Sequence, residues 1–188
     1  MKSAGPRSLK GRALQWLAQR EHSRLELRRK LLPHAEAEDE SEDEVDAARP
    51  GAGANSRLRA VARVDALLDW LEAHRYLSEQ RFAEARIHTR SARFGNLRIR
   101  QELAQHGVDL TDEARVALQG TELDRARSVW QRRFGRIANA GAPTATDHAK
   151  QARFLTARGF SPEVVRRVLR EAAAGEPRIV GGPDSDPD

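Results

Sequence analysis

Apolar side chains along the chain recur at three- and four-residue intervals, and alternation of period two, the mark of a half-buried strand, is absent. The spacing predicts helices over roughly 9–20, 23–34, 57–76, 79–93, 96–106, 111–119, 122–136, 145–158 and 162–174. Start signals support these boundaries. Ser23-Arg-Leu-Glu26 reads as a capping box, and Ser78 as an N-cap with Leu77 and Phe82 at staple spacing. Thr121-Glu-Leu-Asp124 and Thr144-Ala-Thr-Asp147 are weaker variants, while Ser161-Pro-Glu sets proline at the first helical position. Gly107 before Val108 and Gly159 before Phe160 have the look of left-handed glycines that close helices.

Part of the pattern repeats. Trp16-Leu-Ala-Gln-Arg-Glu-His-Ser23 aligns without a gap on Phe154-Leu-Thr-Ala-Arg-Gly-Phe-Ser161. Each leads into a helix with an aliphatic pair four apart and an arginine after the first member: Leu27, Arg28 and Leu31, then Val165, Arg166 and Leu169. A middle copy places Ile99, Arg100 and Leu103 at the same offsets. The pair forms a buried stripe, and the arginine, about 100° further round, reaches solvent beside it. Three copies in register argue for duplication. Trp70 and Trp130 anchor a following helix in the first two copies. The reading is therefore an all-α, elongated array of tandem three-helix-bundle repeats: 9–76, 77–136, and a truncated third at 144–174. Residues 1–8 and 175–188 read as disordered ends, and 35–56 as a disordered acidic insertion within the first repeat.

Composition sharpens the picture. Charged residues are 32% of 188 and aromatics only 5%, a lean supply for one deep core. The absence of cysteine excludes disulfides and thiolate chemistry and suits the cytosol. No apolar run reaches the roughly 18 residues of a membrane-spanning helix, and Met1–Lys10 lacks the apolar stretch of a secretory signal. The net charge of +5 is unevenly spread: residues 1–34 carry nine Lys/Arg against two acids, and residues 35–56 eight acids against one Arg. Such a field draws nucleic acid or acidic protein surfaces.

Catalytic signatures fail. There is no phosphate-binding GxxxxGK[ST] loop, and the glycines of 51–56 miss a dinucleotide fingerprint. The six histidines never lie three or four residues apart, so no helical metal pair exists; Glu84 and His88 read as an ordinary surface pair. No catalytic, cofactor or metal residues are assigned, and the chain is read as a non-enzyme. The positive lead is arginine. Between Ala85 and Gln101 stand Arg86, Arg90, Arg93, Arg98, Arg100 and His88 with no acid, and Phe94 sits among them at a helix junction. Arg24, Arg28, Arg29 and Lys30 share one helix, and Arg158, Arg166, Arg167 and Arg170 cluster in the last repeat. Guanidinium groups on one face form a strip for phosphates or carboxylates. The alternative is a charged face that only keeps the helices solvated. The remaining aromatics fall on apolar stripes and read as core.

The chain resembles the RecX family of bacterial recombination regulators. The resemblance rests on Ala13-Leu-Gln-Trp-Leu-Ala-Gln-Arg-Glu-His-Ser-Arg-Leu-Glu-Leu-Arg-Arg-Lys-Leu-Leu32, Leu77-Ser-Glu-Gln-Arg-Phe-Ala-Glu84, Arg98-Ile-Arg-Gln-Glu-Leu-Ala-Gln-His-Gly-Val108 and the segment from Phe154 to Leu169. It implies tandem three-helix repeats that lie, as a monomer, in the groove of the RecA–single-stranded DNA filament and restrain RecA's ATPase, strand-exchange and co-protease activities. No catalytic residue or cofactor is implied. The groove-facing surface would map onto Arg86, Arg90, Arg93, Arg98 and Arg100, with Arg28, Arg29, Lys30, Arg166 and Arg167 as outlying contacts, and direct DNA binding would be weak. The acidic insertion departs from the short connection expected there and would compete with DNA for the basic face. The alternative is a free-standing DNA-binding protein of helix-turn-helix-like units.

Overall fold

In a computed structural model the described residues are 8–43, 52–138 and 144–174, without the side chains of 39–43, 52–55 and 136–138. Within them the chain is all-helical: α1 (Leu9–Leu17), α2 (Arg24–Asp43), α3 (Ala52–Ala73), α4 (Glu79–Ser91), α5 (Asn96–Gln105), α6 (Asp112–Gly120), α7 (Glu122–Ala138), α8 (Ala145–Ala157) and α9 (Pro162–Ala173). Several starts are fixed as their side chains dictate. The hydroxyl oxygens of Ser8, Thr111 and Thr144 accept from the amides of Gly11, Ala114 and Asp147 at 3.2 Å, and Asp147 returns a bond to Thr144 that completes its box. At Ser23 half a box forms. The Glu26 amide donates to the hydroxyl at 3.1 Å, but the Glu26 carboxylate turns to Arg20 and His22. Thr121 forms none: its hydroxyl donates backward to the carbonyls of Ala117 and Leu118.

The chain divides into two compact units. The first comprises residues up to Ala85 together with Gln105–Val108. Leu9 and Ala13 of α1, Leu27, Leu31 and Ala35 of α2, and Ala60, Val64, Leu68 and Leu71 of α3 bury one continuous stripe, closed by Leu77. Outside that stripe, Arg28 forks onto both oxygens of Asp65 at 2.6 and 3.1 Å. Arg24 reaches Asp69 at 2.7 Å and Glu72 at 2.8 Å, so four-residue spacing on α2 meets its complement on α3. α3 ends on a left-handed residue that is not glycine, Arg75 with φ 61°, and the amides of Tyr76 and Leu77 return to the Leu71 carbonyl.

The expected disordered insertion at 35–56 is corrected by these helices. α2 runs on to Asp43 despite Pro33, and α3 already begins at Ala52, which leaves 44–51 outside the described residues. Part of the reason is visible: Arg63 pairs with Glu38 at 2.8 Å and Arg57 lies 3.5 Å from Glu36, so cations on α3 neutralise the start of the acidic run. Residues 1–7 and 175–188, expected to be loose, also lie outside the description.

The second unit comprises Arg86–Ala104 and the chain from Asp109. Its core joins Ala126, Val129, Trp130 and Phe134 of α7, Leu155 of α8, Phe160, and Val165 and Val168 of α9. The Trp130 helix therefore completes a bundle with α8 and α9, where the sequence reading had grouped it with the second repeat and left the third truncated. A buried carboxylate holds the unit together. Glu122, 4% exposed, accepts from the amides of Asn96 and Ser161 at 3.0 and 3.1 Å and from the Ser161 hydroxyl at 3.1 Å. Gly95 donates to the carbonyl of Arg158, and Leu97 to that of Gly159. The two backbones approach so closely that a Cβ on Gly95 would lie 2.3 Å from Phe160, and one on Gly159, which also has φ 79°, 2.5 Å from Arg98.

Candidate partner-binding surface

The arginines expected to meet a partner fall into two groups once their neighbours are known. The reading of 85–101 as free of neutralising acid ends one residue short. Glu102 of α5, its side chain 18% exposed, takes Arg90 at 2.8 Å and Arg98 at 3.5 Å. Arg28 is spoken for by Asp65, which raises the affinity of the guanidinium for its proton and lowers the Asp65 carboxyl below its usual range. Lys30 lies 4.0 Å from Glu26 and 5.2 Å from the Trp16 ring centre. Arg167 pairs with Glu171 at 3.1 Å, and Arg127 forks onto the same carboxylate at 2.8 Å. Arg127 and then Arg167 hold Glu171 below its ordinary carboxyl value against some desolvation. Arg86 is half-buried at the α4 edge of the second unit and is engaged within the fold.

Arg29, Arg93, Arg100 and Arg166 are different. All four are exposed, and among the described residues none makes an ion pair. Phe94, singled out between arginines, is ringed by cations: the guanidinium carbons of Arg98, Arg90 and Arg93 lie 4.9, 5.6 and 5.9 Å from its centre. Its carbonyl accepts from Arg125, whose guanidinium also bonds the Leu118 carbonyl and the Asn96 side chain. Burial weakens the hold of Arg125 on its proton, with Glu122 opposing.

Arg93 does not stand alone. It lines a cleft of about 330 Å³ with Val129, Arg132, Arg133, Phe154 and Arg158. Arg132 and Arg133 were missed in the sequence because they follow Trp130 and Gln131 on a helix read as core; an adjacent arginine pair just past a buried tryptophan was the available signal. Glu84 is bonded by Gln80 at 3.0 Å, and among the described residues no group of three His, Cys, Asp or Glu side chains could hold a metal ion. No described helix is long and apolar enough to cross a membrane.

The class defined by fold and surface is a tandem three-helix protein that presents arginine. Family-level comparison gives the particular group. Models of the second and third three-helix domains of RecX match residues 78–112 and 121–169. The chain is 46% identical over 171 residues to the regulatory protein RecX of Ralstonia nicotianae, covering 90% of this chain and 91% of that one. It is 46% identical over 167 residues to that of Leptothrix cholodnii and 32% identical to that of Neisseria gonorrhoeae, each match spanning 88% of this chain. The crystal structure of RecX from Lactobacillus salivarius shares the fold, with a TM-score of 0.59 at 16% identity over 88% of this chain and 95% of that one. This chain belongs to the RecX family, whose members are named as regulatory proteins.

Proposed function

We propose that the chain is a non-catalytic, cytoplasmic regulator that binds the RecA–single-stranded DNA filament as a monomer and restrains its ATPase, strand-exchange and co-protease activities. The observation that carries this reading is the set of exposed arginines without carboxylate partners, Arg93 and Arg100 foremost, on a chain whose relatives are named as regulators. A guanidinium already bonded inside the fold must break that bond to meet a partner; an unpaired one is desolvated and gains a new one. Arg93 and Arg100 are therefore the primary contacts, Arg29 and Arg166 supplementary ones, and Arg28, Arg90, Arg98 and Arg167 their supports.

The test is RecA's single-stranded-DNA-dependent ATPase rate as the protein is added below stoichiometry. Inhibition is expected, weakened at least about tenfold in potency by Arg93→Glu with Arg100→Glu, a loss of about 1.4 kcal/mol or more. An undiminished ATPase at molar excess, with tight salt-sensitive binding to bare DNA, would transfer the case to a free-standing DNA-binding protein.

A further inference from the structure

The cleft in the second unit has the build of a binding site in its own right. Four guanidinium groups line it, from Arg93 after α4, Arg132 and Arg133 on α7, and Arg158 at the end of α8. No carboxylate is among its lining residues, and none of the four makes an ion pair among the described residues. At Arg24, Arg28, Arg81, Arg115 and Arg127, by contrast, the guanidinium is met by an acid. Like charges held together without counter-charge raise the free energy of the empty site, and an anion relieves it.

Two of the four are fixed in place. Arg132 donates to the carbonyl of Ala92 at 2.5 Å, and Arg158 to the carbonyl of Arg93 at 3.1 Å. Each bond uses one terminal nitrogen of a group with five donors, so the rest of the fork is available. Arg158 also lies 4.5 Å from the centre of the Phe154 ring, which stands edge-on to Phe134. Between the cations, Val129 and Phe154 give an apolar floor. Planar forks around an apolar floor suit a phosphate attached to a flat or apolar group.

We infer that this cleft takes one nucleotide of single-stranded DNA, its phosphodiester on Arg93, Arg132, Arg133 and Arg158 and its sugar and base against Val129 and Phe154. A duplex keeps its bases stacked inside and offers only its phosphates, so it would leave the floor uncovered; a single strand splays bases outward. The inference rests on the filament reading for its setting, since single-stranded DNA is the substrate on which the filament forms.

The test uses the full chain and a labelled oligo-dT with no RecA present, followed by fluorescence anisotropy from low to moderate salt. Arg93→Gln with Arg133→Gln should weaken binding about tenfold and reduce the log–log salt slope by about 0.7 for each phosphate no longer neutralised. Neither side chain hydrogen-bonds to another described residue and each loss relieves like-charge repulsion, so the thermal midpoint should hold or rise. Arg158→Lys, which keeps the charge and loses the fork, should weaken binding severalfold, whereas Arg115→Gln, whose ion pair with Asp112 lies outside the cleft lining, should not. Unchanged binding by the cleft variants overturns the site. Equal binding of duplex, or equal competition by polyglutamate, overturns its occupant. Because RecA is absent, these results stand apart from the ATPase test, which would fail alone if the filament reading were wrong.

Discussion

At the residue scale, His22 is a histidine whose protonation the fold disfavours. It is 1% exposed, with Nδ1 3.2 Å from a carboxylate oxygen of Glu26. Burial lowers its pKa; Glu26 opposes this, while Arg20 and Lys30 add to it. The folded chain thus holds that proton more weakly than the unfolded chain. The stability it contributes is complete above the ordinary histidine value of about 6.5 and is lost as pH falls through the lower folded value. Asp65 and Glu171 also have lowered values, so their contributions fade only in the acid range below the usual carboxyl pKa. The thermal midpoint should therefore fall in two steps on acidification, and His22→Gln should flatten the first. An unaltered slope between pH 7 and 5.5 in that variant would refute the assignment. Arg75 offers a second test. A left-handed residue with a side chain costs roughly 1 kcal/mol, so Arg75→Gly should raise the denaturant midpoint of the first unit.

Among elements, the start of α5 is tied to the turn between α8 and α9 through backbone and one carboxylate. Glu122→Ala would strand two amides and a hydroxyl, and a loss of about 3 kcal/mol is expected from denaturant unfolding, since each buried donor left unmet costs about 1–3 kcal/mol. Gly159→Ala combines a strained φ with a Cβ placed 2.5 Å from Arg98 and should be as severe, whereas Gly120→Ala meets no neighbouring atom. The helices themselves were legible because the apolar stripe has a period, and Ser23, Ser78, Thr144, Gly107 and Gly159 mark ends by local chemistry. Two things were not. The extension of α2 through an acidic run depends in part on Arg57 and Arg63, some twenty residues on, and the grouping of Trp130 with α8 and α9 depends on which stripe its helix faces. Neither is a local property.

For the whole molecule, the candidate surface was legible as a stock of arginines but not as an arrangement. Composition counts cations, while the availability of each depends on where an acid falls: one turn along the same helix for Arg98 and Arg167, and on another helix for Arg90, met by Glu102, for Arg28, met by Asp65, and for Arg127, met by Glu171. The cleft combines Arg93 with residues up to sixty-five positions away. The acidic run that closes α2 belongs at this scale as well. Exchanging Asp39, Glu40, Glu42, Asp43 and Glu44 for their amides should tighten binding to the filament and steepen its decline with salt; unchanged affinity and slope would dismiss competition by this segment. The two units also differ in optical endowment. Trp130 is 3% exposed, and its indole nitrogen donates to Gln151 at 2.9 Å, whereas Trp16 and Trp70 belong to the first unit, Trp70 with Lys10 3.5 Å above its ring and His74 stacked at 4.1 Å. Replacing Trp16 and Trp70 by phenylalanine leaves a lone blue-shifted emitter beside Val129, so the colour of the protein's own fluorescence becomes a gauge of how the arginine-lined half of the chain opens, melts and fills.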